Sequence, residues 1–267
     1  MSLLITVPVY GQHEYTHALV TDLEREGAEY LIVDNRGDYP RISDERVTTP
    51  GENLGWAGGS DLGFRIAFSE GYSHAMTLNN DTRISKGFVA ALLDPRLPGD
   101  GGIVGPVIDY GFPCAEADEK PNAANYTPRP RYRAVSAVEG TALMLSRECW
   151  QTIGGLDLHN FGRYGWGIDL DLALRARKVG YGLYTTEMAY INHFGHKTAN
   201  THFGRETYPD RQSLLLPSCD CYNACGILRL SLRDSPHRQA RSRGCSLSPS
   251  PIGDYNAGFC ALRHLQV

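Results

Sequence analysis

The chain has 267 residues, a formal net charge of -4 and 42% hydrophobic residues. This length and apolar content are sufficient for one large domain or two small ones with a substantial core. The slightly acidic charge argues against non-specific binding to nucleic acid, which depends on a basic surface.

The apolar run at residues 2–9 is too short for a membrane span and lacks the basic residues that begin a signal peptide. No later apolar run reaches the length of a span. We therefore predict a cytoplasmic protein whose contact with membranes is at most peripheral. Only Cys114 and Cys149 fall in the first 218 residues, which predicts a reduced main domain without disulfides.

The N-terminal region predicts a βαβ unit. An apolar strand at residues 3–9 precedes a helix at about residues 14–26, and the next short strand ends in Asp34. In such a unit the strand ends with Pro8, Tyr10 and Asp34 lie along one edge of the sheet. Asp34 could accept hydrogen bonds from a ribose or a base there, or it could cap a turn.

A glycine-rich segment, Asn53-Leu54-Gly55-Trp56-Ala57-Gly58-Gly59, precedes a predicted helix at residues 60–69. Glycines let the backbone come close to a ligand, and N–H groups at a helix start suit an anion such as a diphosphate. The alternative is that these glycines only permit tight packing.

The next strand ends in a polar cluster, Leu78-Asn79-Asn80-Asp81-Thr82. Open α/β folds bind ligands at the carboxyl ends of their parallel strands. We therefore interpret Asp81 as a metal ligand.

A long irregular segment is predicted at residues 114–133, where loops of this length tend to act as lids or binding loops. Its residues Arg129, Arg131 and Arg133 are either a solvated basic loop or a contact for an acidic acceptor. A strand is predicted to follow at residues 137–145.

Two further groups of candidate site residues follow later in the chain, at residue 169 and at residues 193–196. Asp169 stands near the N-terminus of an amphipathic helix, where the helix dipole favours a carboxylate, and it could be no more than a helix cap. His193 and His196 could ligate a metal, or they could be structural.

Taken in order, seven motifs between Leu3 and about Thr198 resemble the family 2 glycosyltransferases, in particular their rhamnosyl- and galactofuranosyltransferase-like bacterial branch. The resemblance implies the GT-A fold, an α/β fold with a mainly parallel central sheet and helices on both faces. The motifs are Val7-Pro8-Val9-Tyr10, Val33-Asp34-Asn35, the segment from Asn53 to Gly59, Leu78-Asn79-Asn80-Asp81-Thr82, Gly154-Gly155-Leu156-Asp157, the stretch from Trp166 to Arg175, and His193 to Thr198.

The resemblance also implies roles for individual residues. Asp81 matches the metal-binding aspartate of an Asp-x-Asp motif in which Asn79 replaces the first aspartate, and His193 matches the histidine that completes the shell of a Mn²⁺ or Mg²⁺ ion. Asp169 matches the general base. The residues assigned to the nucleotide-sugar donor are Pro8, Tyr10, Asp34, Asn53, Gly58, Gly59, Asn80 and Asp81.

The implied activity is that of an inverting, metal-dependent glycosyltransferase. It would move a hexosyl or deoxyhexosyl group from a nucleotide sugar to a hydroxyl of a polysaccharide, a lipid-linked glycan or another glycoconjugate. Ile168 stands where many relatives carry an acidic residue, which leaves Asp169 as the base and Asp171 as the alternative. Two other functions stay open: a catalytically impaired nucleotide-sugar-binding protein, and a metal-dependent sugar nucleotidyltransferase.

The resemblance stops near Tyr208, and five cysteines crowd the remaining residues. We therefore predict a transferase domain at residues 1–207 and an atypical tail at residues 208–267. The tail is expected to be poorly ordered, or even out of frame with the ancestral sequence.

Overall fold

The computed structural model describes residues 1–195, in which strands and helices alternate around a central sheet. The strands are β1 (Leu3–Val9), β2 (Tyr30–Asp34), β3 (Val47–Thr48), β4 (His74–Leu78), β5 (Thr82–Ile84), β6 (Gly101–Ile108), β7 (Tyr132–Ala134), β8 (Ala142–Ser146) and β9 (Gly182–His193). The helices are α1 (His13–Arg25), α2 (Gly55–Ser69), α3 (Phe88–Leu92), α4 (Arg147–Ile153), α5 (Leu158–Phe161) and α6 (Ile168–Lys178). The predicted tail and His196 lie outside the described residues.

The sheet has the strand order β3-β2-β1-β4-β8-β6-β9-β5, and β7 also pairs with β9. Strands β1 to β4, β6 and β9 run in one direction, whereas β5, β7 and β8 run in the other. The prediction of a mainly parallel sheet is therefore confirmed.

Helices cover both faces of the sheet. On one face, Val7 of β1 belongs to a buried cluster with Leu19 and Leu23 of α1 and Phe88 of α3. On the other face, α2 packs so closely that Gly63 lies directly against Thr6 of β1. Since β-strand side chains alternate between faces, the odd and even residues of β1 meet different helices.

Most of the predicted elements match the structure, and β1 occupies residues 3–9 as predicted. The strand predicted at residues 137–145 is wrong at its start, because β8 begins only at Ala142. The preceding residues Glu139, Gly140 and Thr141 form a turn whose contacts belong to the candidate site. Among the described helices, none is long and apolar enough to cross a membrane.

The packing of α2 on β1 depends on Gly63. A Cβ atom at this position would lie 2.0 Å from Oγ1 of Thr6. We expect Gly63→Ala to lower the free energy of unfolding by about 1–3 kcal/mol, because overpacking displaces a buried strand. Urea unfolding measures this change, and Gly99→Ala is the control, since nothing lies within 4 Å of a Cβ there. Equal stabilities of the two variants would contradict the close contact.

The segment at residues 114–133 has little regular structure, as predicted. Arg131 and Arg133 both reach the buried carboxylate of Glu187, with nitrogen–oxygen distances of 2.5 Å, and Arg129 pairs with Glu119 at 2.7 Å. Carboxylates of the same chain thus match the positive charges of this segment, and contact of these arginines with an acidic acceptor stays a prediction.

Candidate functional site

The strand ends that carry the predicted site residues meet at one edge of the sheet. The parallel register sets Val9 opposite Asp34 and Thr6 opposite Thr77, so β1, β2 and β4 end together. Strands β6 and β9 run in the same direction and end at the same edge. The reversed strand β8 begins there, and the N–H of Asn79 donates to the carbonyl of Thr141 at 2.9 Å.

Asp81 and His193 form a buried pair at this edge. Nε2 of His193 lies 3.3 Å from Oδ1 of Asp81, and each side chain keeps only 7% of its exposure. The N–H of Phe194 also donates to the carbonyl of Asp81 at 3.0 Å. Burial lowers the pKa of His193, but the carboxylates of Asp81, Glu139 and Asp109 more than offset this effect and raise it above its usual value.

The strand end that carries His193 is anchored on two sides. Asp109, directly after β6, accepts the N–H of His193 at 2.9 Å and the side-chain amide of Asn192 at 3.0 Å. Asn192 also bonds to the irregular segment, since its amide donates to the carbonyl of Pro121 at 3.0 Å and its oxygen accepts the N–H of Ala123 at 2.6 Å. The position of His193 is therefore set by β6 and by residues 121–123 together.

The Asp81–His193 pair fits a divalent cation. Carboxylate oxygen and imidazole nitrogen are ligands that Mn²⁺ accepts. Their separation of 3.3 Å is near the roughly 3 Å between adjacent ligands of an octahedral ion with bonds of about 2.1 Å. Within residues 1–195, no group of three or more His, Cys, Asp or Glu side chains is placed to hold a metal. Other ligands of an ion held by this pair would include oxygens of a bound donor.

Two amides hold the strand end beside Asp81. Oδ1 of Asn79 accepts the indole N–H of Trp56 at 2.8 Å, and the amide of Asn80 donates to the hydroxyl of Thr16 at 3.0 Å. Asn79, at the first position of the Asp-x-Asp motif, is thus a partner of Trp56. The buried Asn80 anchors α1, and its contact with a donor stays a prediction.

Asp34 builds the loop that follows β2. Its carboxylate accepts the N–H groups of Arg36, Gly37 and Tyr39 at 3.2, 2.8 and 3.0 Å, and the residue is 3% exposed. This geometry favours the turn-capping alternative. Tyr10, at the end of β1, lies beside the loop, with the guanidinium carbon of Arg36 5.9 Å from its ring centroid.

The glycine-rich segment is helical, so the loop predicted before residue 60 is wrong. Helix α2 begins at Gly55, and the N–H of Gly58 donates to the carbonyl of Arg163 at 3.4 Å. A Cβ atom on Gly59 would lie 3.2 Å from Cβ of Pro8. The helix start is thus capped by the chain itself and packed on the sheet, which favours the packing alternative for Gly58 and Gly59 over a diphosphate-binding loop.

Asn53 holds the turn that leads into α2. Its side-chain oxygen accepts the N–H of Gly55 at 2.8 Å, and its carbonyl accepts a hydrogen bond from the guanidinium of Arg163 at 3.0 Å. These bonds give Asn53 a structural function, while its predicted contact with a donor stays a prediction.

Asp169 lies in the first turn of α6 and faces the turn before β8. Its Oδ2 accepts the N–H of Gly140 at 3.1 Å, and its Oδ1 accepts the N–H of Leu170 at 3.0 Å. Burial raises the pKa of Asp169 to about 6, with the Gly140 bond opposing this rise and the charge of Glu139 adding to it. A carboxyl group with this pKa is largely ionised at pH 7 and is a stronger base than an exposed aspartate.

The neighbours of Asp169 on α6 have other surroundings. Ile168, at the position where the family resemblance implies an acidic residue, is fully buried in the core. Asp171 is bound by Arg175, whose Nη2 lies 2.5 Å from its Oδ2. Of the two candidate bases, Asp171 is thus ion-paired, whereas Asp169 has no ion pair among the described contacts. Asp169 is also the one whose pKa is raised by burial.

Glu139 is a site residue that the sequence analysis did not single out. Its carboxylate accepts the hydroxyl of Thr141 and the N–H of Phe112, each at 2.9 Å, and its charge raises the pKa of both Asp169 and His193. The signal that could have identified it is a carboxylate inside an apolar, strand-like run.

The described part of the chain has the GT-A fold of nucleotide-sugar transferases. The structure of GalNAc-T7 with UDP, GalNAc and Mn²⁺ is similar with a TM-score of 0.54 and 12% identity, over 72% of this chain and 44% of that one. The mannosyltransferase PcManGT from Pyrobaculum calidifontis, in complex with GDP-Man and Mn²⁺, gives a TM-score of 0.53 and 13% identity, over 79% of this chain and 62% of that one. The chain thus spans about half the length of these proteins, and the likeness at this identity concerns the fold.

The chain belongs to the same family as a group of mycobacterial proteins. It is 79% identical over 208 residues to the uncharacterized proteins Mb1552 of Mycobacterium bovis and Rv1525 of Mycobacterium tuberculosis, which covers 78% of this chain and 80% of theirs. No protein-family model matches the chain.

Proposed function

We propose that the protein is an inverting, metal-dependent glycosyltransferase that uses a nucleotide sugar. The observation that carries this proposal is the buried Asp81–His193 pair, which lies at the same sheet edge as the turn that binds Asp169. The likeness of the fold to two transferases whose structures contain Mn²⁺ and a nucleotide or nucleotide sugar supports it.

In the proposed reaction an acceptor hydroxyl oxygen attacks the anomeric carbon of the donor sugar. The bond from that carbon to the phosphate oxygen breaks, the nucleoside diphosphate leaves, and Asp169 takes the hydroxyl proton. Attack from the side opposite the leaving group inverts the anomeric carbon. A divalent cation at Asp81 and His193 would neutralise the charge that develops on the leaving diphosphate.

The N–H groups of Gly140 and Leu170 orient Asp169 for this proton transfer. Both bonds stabilise the ionised carboxylate, which is the form that acts as a base. Burial has the opposite effect and leaves the group with a pKa of about 6, near the value at which a general base works best at neutral pH.

The donor class and the acceptor are further parts of the proposal. We propose a hexosyl or deoxyhexosyl donor, as in the rhamnosyl- and galactofuranosyltransferase-like branch, and a hydroxyl acceptor on a polysaccharide, a lipid-linked glycan or another glycoconjugate. We also propose that residues 1–207 form the transferase domain. The match of 208 residues with the mycobacterial relatives has the length of this domain.

A thermal-shift screen of UDP-, GDP- and dTDP-sugars, each with Mn²⁺ or with EDTA, tests the proposal. A ligand that binds only the native state stabilises it by about 2.7 kcal/mol at a concentration of 100 Kd. We expect one nucleotide class to raise Tm with Mn²⁺, and much less with EDTA. Mn²⁺ alone should have a small effect, because the described part of the chain supplies two ligands.

Equal shifts with Mn²⁺ and EDTA, or no shift with any of these donors, would contradict the proposed function. A metal-dependent shift without any hydrolysis or transfer of the donor would instead indicate a nucleotide-sugar-binding protein.

A further inference from the structure

Glu139 is half-buried in the candidate site, and both of its carboxylate oxygens accept hydrogen bonds. Oε1 accepts the hydroxyl of Thr141 and Oε2 accepts the backbone N–H of Phe112, each at 2.9 Å. A Cβ atom on Gly111 would lie 2.1 Å from Oε2, so the loop after β6 closes tightly over this carboxylate. Glu139 thereby joins the loop after β6 to the turn that begins β8.

The next residue, Gly140, is the point at which this turn touches Asp169. Its N–H donates to Oδ2 of Asp169 at 3.1 Å. A Cβ atom on Gly140 would lie 2.7 Å from Cη2 of Trp56, so the indole fits against the bare backbone. The carbonyl of Thr141 accepts the N–H of Asn79 on the other side. A shift of this turn would therefore move the hydrogen bond that orients Asp169.

We propose that Glu139 is a positioning residue of the site, whose carboxylate fixes the turn that holds Asp169 and places a second negative charge beside that carboxyl group. This inference rests on the proposed function. Two neighbouring carboxylates disfavour each other's ionisation, so Glu139 makes Asp169 a stronger base. A neutral side chain of the same shape would keep the turn and lose this effect.

The groups around Asp169 define the direction in which its titration midpoint should move when Glu139 is neutralised. Glu139 is the charged group that acts on it from the turn before β8, the N–H groups of Gly140 and Leu170 stabilise its ionised form, and burial has the largest effect. The charge of Glu139 also acts on His193 and on Cys114, and raises the pKa of both. Titration must therefore be followed at Asp169 itself.

The test is the titration of Asp169 by carboxyl ¹³C NMR in the full chain without metal or donor, with the signal assigned by its absence in Asp169→Asn. We expect Glu139→Gln to move the midpoint to lower pH. The glutamine oxygen can still accept the Phe112 N–H, and its amide can donate to the Thr141 hydroxyl. Glu116→Gln, which removes a carboxylate paired with Lys120, is the matched control and should leave the midpoint unchanged.

The pH profile of turnover and a second variant separate charge from position. In Glu139→Gln the acidic limb of kcat/KM, which reports ionisation in the free protein, should move to lower pH together with the NMR midpoint. Thr141→Val removes the hydroxyl that holds Glu139 but keeps its charge, so we expect a lower kcat, an unchanged KM for the donor, and a midpoint that stays raised.

An Asp169 midpoint that is the same in wild type and Glu139→Gln would overturn the inference, as would an unchanged kcat in Thr141→Val. A wild-type protein that transfers no sugar but shows the shifted midpoint would overturn the proposed function, while the electrostatic action of Glu139 on Asp169 would stand.

Discussion

Asp81→Ala is expected to abolish both sugar transfer and the Mn²⁺-dependent binding of a nucleoside diphosphate. The variant removes the carboxylate that lies 3.3 Å from Nε2 of His193 and leaves the histidine as the only protein ligand of the proposed pair. One imidazole would hold Mn²⁺ weakly, so the diphosphate would lose the positive charge that the cation supplies for its binding. Calorimetric titration with UDP or GDP, with and without Mn²⁺, measures the effect.

The matched control is Asp94→Ala. Asp94 pairs with Arg96 in the loop that leads into the amino end of β6, at the opposite edge of the sheet. Arg96 is exposed, and a pair that solvent screens in this way contributes little to stability. This variant should therefore bind and turn over as the wild type does. Retained Mn²⁺-dependent binding in Asp81→Ala would remove Asp81 from the metal site. Tight Mn²⁺ binding to the wild type without nucleotide would contradict the proposal that the bound donor supplies the remaining ligands of the ion.

Asp169→Asn should have the second large effect, a loss of turnover by ~10²- to 10⁴-fold with donor binding intact. The amide keeps the shape of the side chain and an oxygen that can accept the N–H of Gly140, but it cannot take a proton. The comparison of kcat with the Kd of the donor measures this separation.

The control for this variant is Asp171→Asn, the same substitution at the next aspartate of α6. Asp171 is bound by Arg175, with 2.5 Å between Oδ2 and Nη2, and side chains at i and i+2 of a helix point apart. Asp171→Asn should therefore keep its turnover. Full activity in Asp169→Asn together with an inactive Asp171→Asn would exchange their roles.

Turnover of the wild type should also depend on pH through Asp169. The base is needed in its ionised form, and burial raises its pKa to about 6. As the pH falls below about 6, the carboxyl group takes up a proton and kcat/KM declines, approaching tenfold for each further unit. The residual rate of Asp169→Asn should lack this acidic limb.

Local sequence pattern was sufficient to predict where the strands end and which polar side chains follow them. Asp34 is the last residue of one apolar strand and Asp81 follows another, and both strands are parallel neighbours of β1. The register of parallel strands alone brings their ends to one edge. The Asp81–His193 contact was predicted from the resemblance to a family, because no local rule sets the distance between residues so far apart in the chain.

The predictions that the structure corrects have a common physical cause, namely contacts between residues far apart in the chain. Helix α2 begins five residues before the predicted start because the carbonyl of Arg163, far along the chain, accepts its first N–H groups. The strand β8 begins late because Gly140 packs against Trp56 and bonds to Asp169. Glu139 was not predicted for the same reason. Phe112, which donates a hydrogen bond to it, and Asp169, on which its charge acts, come close to Glu139 only in the folded chain.

The bonds between Asn192 and the irregular segment have a consequence for how this protein can vary. The segment contributes only main-chain groups to these bonds, the carbonyl of Pro121 and the N–H of Ala123. Main-chain atoms are common to nearly all residue types, so the exposed side chains of this segment can be exchanged without removing these bonds, whereas the buried Ala123 has to stay small. The exposed side chains beside the proposed metal ligand can thus change in size and charge while the main-chain bonds to Asn192 keep the ligand in place.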